Sequence, residues 1–141
     1  MLYIIFMTSP YSKKVFWKII YIIWPPVLRV IELLGIHNFR QNFLLGHLNS
    51  KYTKDDFIKL LEDQDFELGI IAYKDPGEIV GMRRLDTPRY QYHIRLFVDG
   101  EIRAHYEFSP EARPLDHIFE VGFENRKDFF VKILGEYLVP N

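Results

Sequence analysis

The chain has 141 residues, 48% of them hydrophobic and 16% aromatic, with a formal net charge of −1 and no cysteine. That length fits one domain with an appendage, and the apolar content argues against disorder. The lack of cysteine removes disulfides, thiolate nucleophiles and Cys-based zinc sites, and it fits a reducing compartment.

Charge is spread unevenly. Residues 1–48 hold Lys13, Lys14, Lys18, Arg29 and Arg40 against Glu32 alone, a net +4, whereas residues 49–141 carry a net −5. The expected division is an apolar, basic helical segment over 1–48 and an α+β domain over 49–141.

In the front segment, residues 15–24 are apolar all round except Lys18. A helix of that composition needs protein or lipid around it. Pro25 and Pro26 interrupt it, and a second apolar helix is expected over 27–34, closed by Gly35. The 22 residues from 15 to 36 have the length of a membrane span. Their insertion energy is marginal, because apolar gains of about 0.3–0.6 kcal/mol each are offset by about 2.5–3.5 kcal/mol for each of Lys18, Arg29 and Glu32. A kinked pair lying at a membrane surface is the easier arrangement, with Trp17, Tyr21 and Trp24 at headgroup level and Lys13 and Lys14 near phosphates. Docking of residues 1–36 on a protein partner, or packing on the domain itself, is the competing arrangement. The pattern does not match a cleaved signal peptide. The cytoplasmic side of a membrane is the favoured location.

Residues 38–48 are expected as a short helix with Phe39, Phe43 and Leu44 on one face. Thr53 then has the signature of an N-cap, with Asp56 in the capping-box position, and Phe57, Leu60 and Leu61 give helical spacing. From 67 the period becomes that of strands. ELGIIAYK and EIVGMRRL form one hairpin about Asp75-Pro76-Gly77, and YQYHIRLF and EIRAHYEF form a second about Asp99-Gly100. The expected sheet is a four-stranded antiparallel β-meander with helices packed on one face, an α+β class. Asn125 is expected to cap a final helix burying Phe129, Phe130, Ile133, Leu134 and Tyr137.

The second hairpin reads almost as a mirror, with His-x-Arg before the turn and Arg-x-His after it. A two-residue loop would mix apolar and charged side chains on both faces. A three-residue loop, Val98 to Gly100, with Gly100 left-handed, separates them. Tyr92, Ile94, Leu96, Ile102, Ala104 and Tyr106 then share one face, and Gln91, His93, Arg95, Arg103, His105 and Glu107 share the other. A slip of one residue would destroy this separation.

In that register Arg95 opposes Arg103, a like-charge pair that calls for a neutralising partner. Glu101, Glu107 or a bound phosphate or carboxylate would serve. His93 opposes His105, and imidazoles with an ordinary pKa of about 6.5 are suited to acid–base work near neutrality.

Three functions follow. The first is a membrane-associated or partner-docked domain that binds an anionic ligand through Arg95, Arg103, Glu107 and Gln91. The second is a metal-independent phosphodiester-cleaving enzyme with His93 and His105 as acid and base. The third is a non-catalytic protein-interaction module. Against these stands an ordinary solvated sheet face. No cofactor is called for, and the arginine pair disfavours a metal held by His93, His105 and Glu107. Nucleic acid is left open as a partner, though Tyr92 and Tyr106 fall on the apolar face and not where bases would stack.

Overall fold

The computed structural model describes residues 42–69, 74–109, 112 and 122–141, together with positions 15, 18, 19, 22, 23, 26, 27, 29, 30, 33 and 34. Two compact units divide the chain, one of residues 1–37 and 70–73, the other of residues 38–69 and 74–141. In the first unit the described positions from 15 to 33 have helical backbone. The Leu34 amide donates to the Val30 carbonyl at 3.0 Å. The course of the expected apolar helices otherwise falls outside the described residues. Among those residues, no helix is long and apolar enough to cross a membrane.

The second unit is α+β, with a six-stranded antiparallel sheet and two α-helices. Its elements are β1 (Phe43–Leu48), α1 (Lys54–Glu62), β2 (Glu67–Leu68), β3 (Glu78–Thr87), β4 (Tyr90–Phe97), β5 (Glu101–Phe108), α2 (Lys127–Leu134) and β6 (Leu138–Pro140). The strands lie in the order β2-β3-β4-β5-β1-β6.

Two strands were not expected. Residues 43–48, assigned to a helix by apolar spacing, form β1 and pair with β5 on one side and β6 on the other. Three apolar residues at helical spacing are a weak signal, and pairing on both edges outweighs it. Gly46 makes the pairing possible. Its φ of +154° accompanies a register shift between Leu44 and Gly46, and any Cβ there would collide with the Val139 carbonyl. In the other direction, β2 covers only Glu67–Leu68 of the eight-residue strand expected, and residues 70–73 lie outside the described residues.

Helix α1 begins as its sequence dictates. Thr53 Oγ1 accepts from the Asp56 amide at 3.2 Å, and Asp56 Oδ2 accepts from the Thr53 amide at 2.8 Å. The second helix differs from expectation. Residues 123–125 form a 3-10 turn, Arg126 is the N-cap, and no side chain caps the helix. Asn125 therefore does not cap it. Tyr137 lies beyond α2 in a second 3-10 turn and stacks on Tyr52 at 3.7 Å.

Both helices contribute to one core cluster. Phe57 and Leu61 of α1 and Phe130 and Leu134 of α2 join Tyr92, Ile94, Leu96, Ile102, Ala104 and Tyr106 of the β4–β5 hairpin. The apolar half of the mirrored hairpin is thus the floor of the core.

Candidate functional site: a buried polar network on the second sheet face

Strand alternation decides what the opposite face carries. His93 pairs with His105, Arg95 with Arg103 and Gln91 with Glu107 across β4 and β5. The turn that sets this register is the three-residue loop: the Gly100 amide donates to the Phe97 carbonyl at 3.0 Å, and Gly100 has φ +86°.

This face is not a solvated one. Gln91, His93, Arg95, His105 and Glu107 are each at most 3% exposed. Of the six polar positions read from the hairpin, only Arg103 reaches water, with 38% of its side chain exposed. Burying charge requires partners, and the structure supplies them from outside the hairpin.

A hydrogen-bonded chain runs across the face. Arg83 Nη1 donates to Gln91 Oε1 at 3.4 Å. Gln91 Nε2 donates to Glu107 Oε1 at 2.6 Å. Glu107 Oε2 lies 3.2 Å from His105 Nε2, an ion pair whenever that ring is protonated. On its other side, His105 Nδ1 is 2.8 Å from Asn42 Oδ1, and Asn42 Nδ2 donates to Asp75 Oδ2 at 2.6 Å. Asp75 Oδ2 also accepts from Arg95 Nη1. Arg95 Nε in turn donates to His93 Nδ1 at 3.2 Å. The two imidazoles meet edge to face, with centroids 4.8 Å apart.

The opposed arginines are handled separately. Arg95 is wholly buried and lies between Asp75 and Glu78, with Glu78 Oε2 3.2 Å from Nη1. Arg103 turns outward, donates from Nε to Glu101 Oε2 at 2.7 Å and stacks over Phe97 at 4.9 Å. The two guanidiniums do not stand side by side as an open clamp. Their repulsion is met by carboxylates of the chain itself.

One corner of the network is incomplete. Among the described residues, Arg95 Nη2 and Glu78 Oε1 are buried with no hydrogen-bond partner. Burial raises the Glu78 pKa above the usual carboxylate range, although Arg95 opposes the shift. Glu78 lies against Gly81, where a Cβ would collide with Oε1. Gly81 is directly opposite Arg95 across β3 and β4. The absent side chain at 81 is what lets this carboxyl lie on the strand.

Tyr92 and Tyr106 lie on the core face. Tyr106 donates its hydroxyl to Asp86 Oδ2 at 2.6 Å, and burial followed by that hydrogen bond pushes its pKa well above the ordinary phenol range. Among the described residues no group of three His, Asp or Glu is placed to hold a metal ion.

Sequence reasoning found the hairpin side chains but missed Asn42, Asp75 and Glu78. Asp75 reads locally as a turn residue, Asn42 sits in the misassigned helix, and Glu78 reads as a strand start. The available signal was the demand for negative charge beside Arg95, which Glu101 and Glu107 seemed near enough to meet.

Neither a scan against family models nor searches of curated proteins and solved structures gave a match to this chain.

Proposed function

We propose that the sheet domain is a small binding module for an anionic group, phosphate or carboxylate, received at the Arg95–Glu78 corner with uptake of a proton. The observation that carries this reading is the buried, unpartnered Arg95 Nη2 beside an unpartnered Glu78 oxygen. With Glu78 ionised, Arg95 already faces two carboxylates, and a third negative charge would be repelled. With Glu78 protonated, Nη2 and the carboxyl O–H both become donors toward one acceptor oxygen. The raised Glu78 pKa makes that protonation inexpensive. Gln91, His93, His105 and Glu107 then hold the corner in place, while Arg103 serves at the rim.

Binding is favoured over turnover. His93 and His105 are the acid and base that phosphodiester cleavage would use, yet each ring nitrogen Nδ1 already has a partner within the network, the buried Arg95 for His93 and the half-buried Asn42 for His105.

The test is calorimetric titration of the full chain with inorganic phosphate and with acetate, in buffers of different ionisation enthalpy. Binding should strengthen as pH falls, with uptake of about one proton. Glu78→Gln, which imitates the neutral carboxyl, should bind about tenfold more tightly at neutral pH and lose the proton uptake. Absence of binding in both proteins would mean that Arg95 and Glu78 form an internal ion pair and nothing more. Cleavage of a generic phosphodiester, lost in both His93→Ala and His105→Ala, would move the reading to an enzyme.

A further inference from the structure

We infer that the apolar face exposed between residues 19 and 34 rests in the headgroup region of an anionic lipid surface. Ile19, Ile22, Ile23, Val30, Leu33 and Leu34 expose between 48% and 87% of their surface. Residues 19, 22 and 23 follow i, i+3, i+4 spacing, and so do 30, 33 and 34, on backbone that is helical at every one of them up to Leu33. Helical spacing of this kind gathers side chains on one face. Large aliphatic groups this exposed and this regularly placed mark a docking surface and are not scattered surface residues.

Charge complementarity selects the occupant. Lys18 and Arg29 are exposed in the same stretch, and residues 1–37 hold Lys13, Lys14, Lys18 and Arg29 against Glu32 alone, a net +3. Their placement one turn from Ile22 and Leu33 lets their ammonium and guanidinium groups reach phosphates while the aliphatic groups enter the acyl boundary. Trp17, Tyr21 and Trp24 give the same stretch the composition found at headgroup depth. Lys18, Arg29 and Glu32 in the sequence oppose a straight span, as do two consecutive prolines. The surface is therefore read as lying in the interface, held jointly by apolar burial and attraction to anionic lipid.

Flotation of the full chain with vesicles provides the test. The chain should rise with phosphatidylcholine vesicles containing about one-third phosphatidylserine, and its partition should fall by about tenfold on pure phosphatidylcholine or at high salt. Ile22→Glu with Leu33→Glu should reduce partition on the anionic vesicles by about a hundredfold. Both positions are exposed, so circular dichroism of the double variant should match that of the parent. Failure of the parent to float overturns the inference. Sedimentation of the parent as a dimer that the double variant abolishes, without flotation, also overturns it and assigns the face to a second copy. Lys18→Glu with Arg29→Glu must weaken the preference for anionic lipid; an unchanged preference overturns the electrostatic part. Glu78→Gln must leave flotation unaltered, which separates this surface from the anion site.

Discussion

Asn42 stands between His105 and Asp75, with Oδ1 2.8 Å from His105 Nδ1 and Nδ2 2.6 Å from Asp75 Oδ2. A carboxylate only accepts, so the amide nitrogen must face Asp75 and the amide oxygen must face the ring. His105 Nδ1 therefore carries a proton. By the same logic His93 Nδ1 carries no proton, because it accepts from Arg95 Nε. Asn42 fixes the proton on His105 Nδ1, and Arg95 keeps one off His93 Nδ1.

Nitrogen-15 NMR of the two rings should report this directly. His105 is expected to show a protonated Nδ1, and His93 an unprotonated Nδ1 with the proton on Nε2. Asn42→Ala should cost about 1–3 kcal/mol by denaturant unfolding, since it removes the partner of the buried His105 Nδ1 while Asp75 keeps only Arg95. It should also erase the difference between the two rings at Nδ1. Retention of that difference in the variant would exclude Asn42 as its source.

The two carboxylates on Arg95 are not equivalent. Asp75 carries both Arg95 and Asn42, and its removal leaves a buried guanidinium with a partner whose pKa is raised. Asp75→Asn is expected to cost about 3–5 kcal/mol, the range for breaking a buried ion pair. Glu78→Gln should cost no more than about 1 kcal/mol, because burial already favours the neutral form. Equal losses in denaturant midpoints would contradict this ranking.

Stability should carry a pH signature from Glu78. Its folded pKa is raised by burial, so the native state keeps that proton to higher pH than the unfolded chain does. The contribution is greatest below the ordinary carboxylate value, about pH 4, and declines as pH rises from there through the folded pKa. Asp56 acts in the opposite sense. Hydrogen bonds from Thr53, the backbone one foremost, lower its pKa, so its contribution is present above the ordinary carboxylate value and is lost as pH falls through the lowered one. Urea titrations across this range should show Glu78→Gln gaining on the parent as pH rises. A constant difference would remove Glu78 as the titrating group.

Gly46 offers a test of the strand that was not anticipated. With φ at +154° and the Val139 carbonyl against its α-carbon, Gly46→Ala should lower stability by about 2 kcal/mol or more and loosen β6 from β1. Hydrogen exchange at the Leu138, Val139 and His47 amides would reveal it. A variant as stable as the parent would show that β6 docks without help from the glycine.

How much of this could be read from residues alone depended on range. The hairpin register was legible because the alternation of six apolar and six polar side chains is strict and only one loop length preserves it. The α1 cap was legible because Thr53 and Asp56 are three residues apart. What failed was settled at a distance. Phe43–Leu48 became a strand through partners at 101–104 and 138–140, which no local window contains. The burial of Arg95 and His105 likewise depends on Asn42 and Asp75, separated from them by 63 and 20 positions. Polar residues alternating on a strand announce a wet face, and only the distant partners make it a dry one.

The mirrored hairpin has one more consequence. Alternation of apolar and polar side chains rejects displacements of one residue but tolerates displacements of two, which keep every side chain on its proper face. Sliding β5 by two would set Arg95 against His105 and His93 against Glu107. Gln91 would then no longer stand opposite Glu107, nor His93 opposite His105. The network thus acts as a parity check on strand alignment: the apolar face discriminates odd errors, and the polar face discriminates even ones.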